Sequence, residues 1–230
     1  MRFAQNLQYL RRLRPGMTQE ALAERLGVSR QAVSKWETGE ALPEMDKAAE
    51  LCGVFFCTMD QMFREDMGVF SEAYSGIGVR KLDGFSYVRY AVVSAQPEDD
   101  ALDRVRKWAA GQGIAQPDLI GWDFPHVSPE QMSVYGMHGY AAACVLPEGF
   151  AVKDGGLPVL RQPAGEYAAI TIRDPFRAPF TLIPGAYRTL MDWMRVNGHR
   201  PAGGGEGIEC FERVTARDGA EVMDVYVALA

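Results

Sequence analysis

The 230-residue chain has little of what metal and redox chemistry uses: three histidines and four cysteines. His126, His138 and His199 stand far apart with no HxxxH spacing, so the sequence predicts no metal site. Cys52, Cys57, Cys144 and Cys210 form no CxxC pair, and their apolar neighbours mark them as reduced core residues of a cytoplasmic protein. No apolar run approaches the roughly 18 residues of a membrane span, and the first residues lack a signal-peptide core, so no membrane partner is expected. Gly76-Ile77-Gly78 does not open a GxGxxG or GxxxxGK loop. Gly155-Gly156 and Gly203-Gly204-Gly205 read as flexible connections rather than phosphate cradles. There is no GxSxG elbow, and no cysteine has an evident histidine partner. Neither a cofactor nor a catalytic residue is expected.

What is present is an ordinary globular composition, 47% hydrophobic and 23% charged, in a chain long enough for two domains at about 100–200 residues each. The net charge of −6 is unevenly distributed. Residues 1–35 carry seven Lys/Arg against two Asp/Glu, a balance of +5, and the remainder carries 17 against 28, a balance of −11. Because salt screens charges beyond about 10 Å, a local basic segment can attract phosphate despite an acidic whole.

That basic segment contains TQEALAERLGVSRQAVSKWETG, Thr18 to Gly39. Thr18 is suited to N-cap a helix, with Glu20 favourably placed in its first turn. Ala21, Leu22 and Leu26 recur at helical spacing, and Gly27 supplies a left-handed stop. Ser29 caps a second helix with Ala32, Val33 and Trp36 inward and Arg30, Gln31, Ser34 and Lys35 outward. Such polar side chains can bond base edges and phosphates from the major groove. Phe3, Leu7, Leu10 and Leu13 predict a first helix closed by Pro15-Gly16. A fourth is expected from Pro43 to Leu51, ended by Gly53-Val54, and Thr58 caps a short last one.

This pattern resembles the Cro/Xre (lambda-repressor-like) helix-turn-helix family over roughly the first 65 residues. The matching residues are Thr18-Gln19-Glu20, Leu22-Ala23, Leu26-Gly27-Val28-Ser29 and Val33-Ser34-Lys35-Trp36-Glu37 with Gly39. The resemblance implies a five-helix domain that binds double-stranded DNA as a homodimer through Thr18, Gln19, Ser29, Arg30, Gln31, Ser34 and Lys35. It also implies an internal ion pair, for which Arg12 and Glu37 occupy the positions.

Residues 67–83 read as a linker between a DNA-binding domain (1–66) and a second domain (84–230), with some helix expected near Phe70 to Tyr74. In the second domain, Phe85–Ser94, Leu119–Phe124 and about Gly139–Leu146 read as strands, with a helix from Pro97 to Gly113. The order recurs as a strand Glu166–Arg173, a helix Ile183–Asn197, and a hairpin of Ile208–Val214 with Val222–Leu229 turning at Asp218-Gly219. Val105-x-x-Trp108-Ala109 matches Leu190-x-x-Trp193-Met194, and both tryptophans are assigned to core. Two β-α-β-β units side by side predict one sheet backed by two helices, the other face left as a concave site.

The second domain resembles the GyrI-like, AraC-type effector-binding family. The residues that carry this are Gly121-Trp122-Asp123-Phe124-Pro125, Ser128-Pro129-Glu130, Ala143-Cys144-Val145-Leu146-Pro147-Glu148, Leu160 to Ala168, and Cys210-Phe211-Glu212. The chain departs from the family pattern at Phe124, where a second aspartate is usual, and at Val214, where an aromatic is usual. The resemblance implies a groove for a small, cationic or aromatic effector, with Glu212 as counter-charge and Trp122, Phe124, Tyr167 and Phe211 as walls. An exposed strand carboxylate is the alternative for Glu212. The function expected is that of a one-component bacterial transcription regulator. The alternatives are a DNA-tethered hydrolase of small electrophiles, using Glu212 with Tyr135, Tyr140 or Tyr167, and a protein-partner inhibitor module.

Overall fold

The computed structural model describes residues 2–68, 71–153, 157–204 and 207–230. Phe70 of the expected linker helix, and Gly155, Gly156 and Gly205 of the expected connections, lie outside them. In chain order the elements are α1 (Arg2–Leu13), α2 (Gln19–Leu26), α3 (Arg30–Thr38), α4 (Met45–Phe55), α5 (Met59–Phe63), β1 (Tyr74–Leu82) and β2 (Phe85–Ser94). There follow α6 (Pro97–Gln112), β3 (Asp118–Asp123), α7 (Pro129–Ser133), β4 (His138–Val145), β5 (Leu160–Gln162), β6 (Gly165–Arg173), α8 (Pro179–Val196), β7 (Cys210–Arg217) and β8 (Ala220–Ala228). They form two compact units, Met1–Ile77 with Phe176–Arg200, and Gly78–Pro175 with Pro201–Ala230.

The helical unit is held in register by its caps. Thr18 Oγ1 accepts from the Ala21 amide at 3.1 Å and Ser29 Oγ from the Ala32 amide at 3.2 Å. Gly27 (φ 65°) and Gly39 (φ 76°) take left-handed C-terminal positions that a side chain would strain. Thr58 and Gln61 form a reciprocal capping box. The fourth helix differs from expectation: it starts at Met45, after Pro43, and runs through Gly53-Val54 to Phe55. Val54 and Phe55 are buried, and that packing carries the helix past the glycine until Phe56 turns left-handed (φ 51°). Phe3, Leu7, Leu10, Leu13, Leu22, Val33, Leu51 and Met62 fill the core. Buried Asn6 pins the end of α5 by donating to the carbonyls of Gln61, Met62 and Glu65 and accepting from the Met67 amide.

Helix α8 falls in this same unit. Tyr9 Oη donates to Asp192 at 3.2 Å, Arg195 Nη1 to the Phe56 carbonyl at 3.0 Å, and Asn197 Nδ2 to the Leu13 carbonyl at 3.1 Å. It begins four residues before the expected Ile183, because Pro179 can occupy the first turn without wasting an amide. Tyr74 Oη donates to the Leu182 carbonyl and fills the space that a Cβ on Gly185 would need, 2.4 Å away.

The other unit is built on an antiparallel sheet in the order β1-β6-β8-β7-β3-β4-β2-β5. Each β-α-β-β repeat contributes three adjacent strands, β2-β4-β3 and β6-β8-β7. The repeats join where β3 pairs β7, with Ile120 opposite Arg213 and Gly121 opposite Glu212. The duplicated α+β arrangement implied by the GyrI-like resemblance is therefore present. Asp218 (φ 51°) and Gly219 (φ 75°) turn the β7–β8 hairpin as expected, both with positive φ.

Three elements add to the expected set. Strand β1 occupies Tyr74–Leu82 of the expected 67–83 linker and meets the helix expected near Phe70 to Tyr74 only at its last residue, β5 pairs the outer edge of β2, and α7 is started by a capping box of Ser128 and Gln131.

One sheet face packs Val92, Tyr140, Ala142 and Cys144 against Ala101, Val105 and Ala109 of α6. The opposite face, expected to be a free concave site, is instead filled by Tyr87, Ile120, Tyr167, Phe211 and Tyr226. Leu82 of one terminal strand and Leu160 of the other both lean on that cluster, so the sheet curls around it. Burying these aromatics contributes about 2–3 kcal/mol each, which outweighs leaving a groove open.

Candidate functional site

Helix α3 presents Ser29, Arg30, Gln31 and Lys35 exposed and Ser34 half-buried, while Val33 and Trp36 are buried beneath. The face expected to meet DNA is thus polar, accessible and backed by core. Thr18 is exposed, but its hydroxyl is engaged in capping α2. Gln19 is not free to reach outward, because its Nε2 donates to Glu37 Oε2 at 2.9 Å. The internal ion pair also differs from expectation: Glu37 is held by Arg11, not Arg12, through Nε–Oε1 at 2.5 Å and Nη2–Oε2 at 3.0 Å. Arg12 is exposed. One helical step turns a side chain by about 100°, which aims Arg11 inward and Arg12 outward. Arg11, Gln19 and Glu37 together tie α1, α2 and α3 into one frame.

The second polar site lies at the junction of the two repeats. Directly paired residues share a sheet face, so Gly121, Ala142, Glu212 and Val225 form one row across β3, β4, β7 and β8. Half-buried Glu212 accepts a hydrogen bond from the hydroxyl of buried Tyr140. Burial, then the charges of Glu212, Glu98 and Asp123, push the Tyr140 pKa far above its ordinary value, so it stays a proton donor. Glu98, at the start of α6, is itself raised by desolvation and by Asp123 and Asp99. Tyr140 thus stands among the charges of three acidic side chains, which makes the site locally negative.

Strand alternation divides the expected wall residues from Glu212. Tyr167 and Phe211 are buried on the opposite face, their rings 5.7 Å apart, and Trp122 packs there edge-on to Tyr87 at 6.4 Å. Phe124 lies just beyond β3, half-buried, its ring edge-on to His126 at 5.1 Å. Tyr135 is exposed, whereas Tyr140 is the tyrosine that meets Glu212. Glu98 and Asp123 were not singled out by the sequence; the available signal was Gly121. A Cβ there would lie 2.1 Å from Tyr140 Oη and 2.6 Å from its Cζ, so the glycine makes room for the ring. Gly121→Ala is expected to displace Tyr140 and cost about 1–3 kcal/mol in urea denaturation; an unchanged midpoint would contradict this packing.

Among the described residues, no group of three or more His, Cys, Asp and Glu side chains could hold a metal ion, and no helix is long and apolar enough to cross a membrane.

Comparison with known proteins agrees with the geometry of the helical unit. The helix-turn-helix family matches residues 7–62. The HTH-type transcriptional activator BcrR of Enterococcus faecalis is 35% identical over 88 residues, covering 38% of this chain and 43% of BcrR. The chain thus matches less than half the length of that relative. Among solved structures, the EcmrR–DNA complex in EcmrR-RPo aligns over 92% of this chain and 81% of that chain, at 12% identity and a TM-score of 0.48. The EcmrR C-terminal domain aligns over 68% and 98%, at 10% identity and a TM-score of 0.47. With caps, turn, buried positions and matched residues coinciding, the N-terminal segment is a helix-turn-helix domain of the Cro/Xre type, in a chain whose other part carries a duplicated β-α-β-β architecture.

Proposed function

We propose that the chain is a one-component, cytoplasmic transcription regulator. Residues 1–66 read an operator as a homodimer, residues 84–230 respond to a small cationic or aromatic effector, and residues 67–83 connect the two roles. The observation that carries this reading is the α3 face: Ser29, Arg30, Gln31 and Lys35 exposed over buried Val33 and Trp36. A single recognition helix covers only a few base pairs, so two copies on a pseudo-palindrome are needed for specificity. The similarity to an HTH-type transcriptional activator supports the same output.

Glu212 is the effector residue in this reading. Its carboxylate stands with Glu98 and Asp123 among the charges that raise Tyr140, which favours a cationic effector. Regulation then requires two states of different operator affinity, with the effector binding one better.

The Tyr140–Glu212 hydrogen bond also favours a second reading, hydrolysis, with Tyr140 polarising a substrate and Glu212 acting as base. We place sensing first because an HTH-type transcriptional activator is among the proteins similar to this chain.

Two measurements test these roles. Gln31→Ala is expected to alter base preference, while Arg30→Ala weakens binding to all duplexes and lowers the salt slope by about 1. A thermal-shift screen against cationic aromatic compounds should give a rise in Tm that Glu212→Gln removes. A hit recovered unchanged supports the sensor; steady turnover abolished by Glu212→Gln supports the hydrolase. A shift retained in Glu212→Gln would remove Glu212 from the effector site.

A further inference from the structure

Three sulfur atoms converge where α4 passes into α5. Cys52 Sγ lies 3.4 Å from Met59 Sδ, and the Cys52 and Cys57 thiols hydrogen-bond to each other. The chain is folded back to make this contact: Phe56 is left-handed, and the Cys57 amide donates to the Cys52 carbonyl at 3.0 Å. Cys52 is buried, Cys57 half-buried and Met59 exposed, so the group is reached from solvent past the thioether. The helix-turn-helix assignment makes no use of it.

We propose that Cys52, Cys57 and Met59 form a binding site for one soft monovalent cation, Cu(I). Two thiolates and a thioether are the donor set that such an ion prefers. Planar coordination by three bonds of about 2.3 Å puts sulfurs about 4 Å apart, so the Cys52–Met59 pair at 3.4 Å would spread by about 0.6 Å as the ion enters. Zinc is a poorer fit. It seeks four ligands, and no group of His, Cys, Asp and Glu side chains among the described residues could supply them.

Charge supports the same ion. Each thiol releases its proton to solvent as it binds, so two thiolates and Cu(I) carry one net negative charge. The Arg195 guanidinium, which hydrogen-bonds to the Cys57 thiol, stands beside that charge.

The test is an anaerobic titration of the reduced full chain with Cu(I) in competition with bicinchoninate. The expected result is one ion per chain, with retention weakened about 100-fold by Cys57→Ser and about 10-fold by Met59→Leu, and unaffected by Cys144→Ala. Cu(I) should also raise the melting temperature of the wild-type chain and not that of Cys57→Ser. If Cys57→Ser melts like wild type yet holds Cu(I) as tightly, the site is not there. Binding lost in Cys144→Ala, binding of Zn(II) as tight as Cu(I), or no retention against the chelator would each overturn the proposal. None of these outcomes depends on operator or effector binding.

Discussion

Replacing Asp224 with alanine is expected to destabilise the sheet unit by about 3 kcal/mol. Asp224 lies on β8 and is fully buried. Its Oδ1 accepts from Arg80 Nη1 at 2.8 Å and from Thr171 Oγ1 at 2.5 Å, and its Oδ2 accepts from Arg217. Arg80 also donates to Thr171 Oγ1 at 2.7 Å and lies 5.7 Å from the centre of the Tyr226 ring. A carboxylate in such a place is stable only because these donors replace water; removing it takes from the partly buried Arg80 guanidinium the carboxylate that it meets. Arg217 is half exposed and can rehydrate, so the cost comes mainly from Arg80.

The same cluster sets a pH dependence. Burial alone raises the Asp224 pKa, but the Arg80 and Thr171 hydrogen bonds and the Arg80 charge overcome it and hold the carboxyl below its ordinary range. A depressed folded-state pKa contributes stability above the unfolded value of about 3.9, and this is lost as pH falls through the folded value. Urea midpoints of wild type and Asp224→Ala should therefore differ most at neutral pH and converge in acid. Equal midpoints at pH 7 would show that the cluster contributes nothing.

Glu37→Ala is the second large effect, about 3 kcal/mol on the helical unit. The Glu37 side chain is 3% exposed and holds both Arg11 and Gln19, so its removal leaves a guanidinium and an amide without their acceptor. Arg11→Ala should cost less, because Glu37 keeps Gln19. Arg12→Ala should fall within about 0.5 kcal/mol of wild type, as for other exposed positions. Chemical denaturation of the three variants checks the assignment. A sensitive Arg12 and an insensitive Arg11 would restore the pairing expected from the family pattern and contradict the geometry. Glu37 closes the frame that aims α3, so its loss should also weaken DNA binding without touching a DNA-facing side chain.

These two clusters show where sequence reading succeeds and where it stops. Thr18, Gly27, Ser29, Gly39 and Thr58 act through local backbone geometry, and each cap was legible from neighbours within a few residues. The choice between Arg11 and Arg12 was not, because it depends on how α1 meets α3. Strand β1 was hidden by Gly76 and Gly78 and by weak alternation; Arg80 of that strand makes its ion pair with Asp224, 144 residues away. The repeat at Trp108 and Trp193 was visible as spacing. That α8 shares a compact unit with α1 to α5 rests on Tyr9–Asp192, Phe56–Arg195 and Leu13–Asn197 contacts, which no local pattern encodes. At the polar site Glu212 was identifiable, but its face depended on the register that sets it opposite Gly121 and away from Tyr167 and Phe211.

If α3 reads DNA sequence, selection from a random duplex library will reveal it. Wild-type protein should enrich one pseudo-palindromic site with half-sites about one helical turn apart. Gln31→Ala should enrich a site altered at a symmetric pair of positions, and Arg30→Ala the same site more weakly. A wild-type pool that stays random after selection, with equal retardation of every duplex, would mean that α3 does not read sequence.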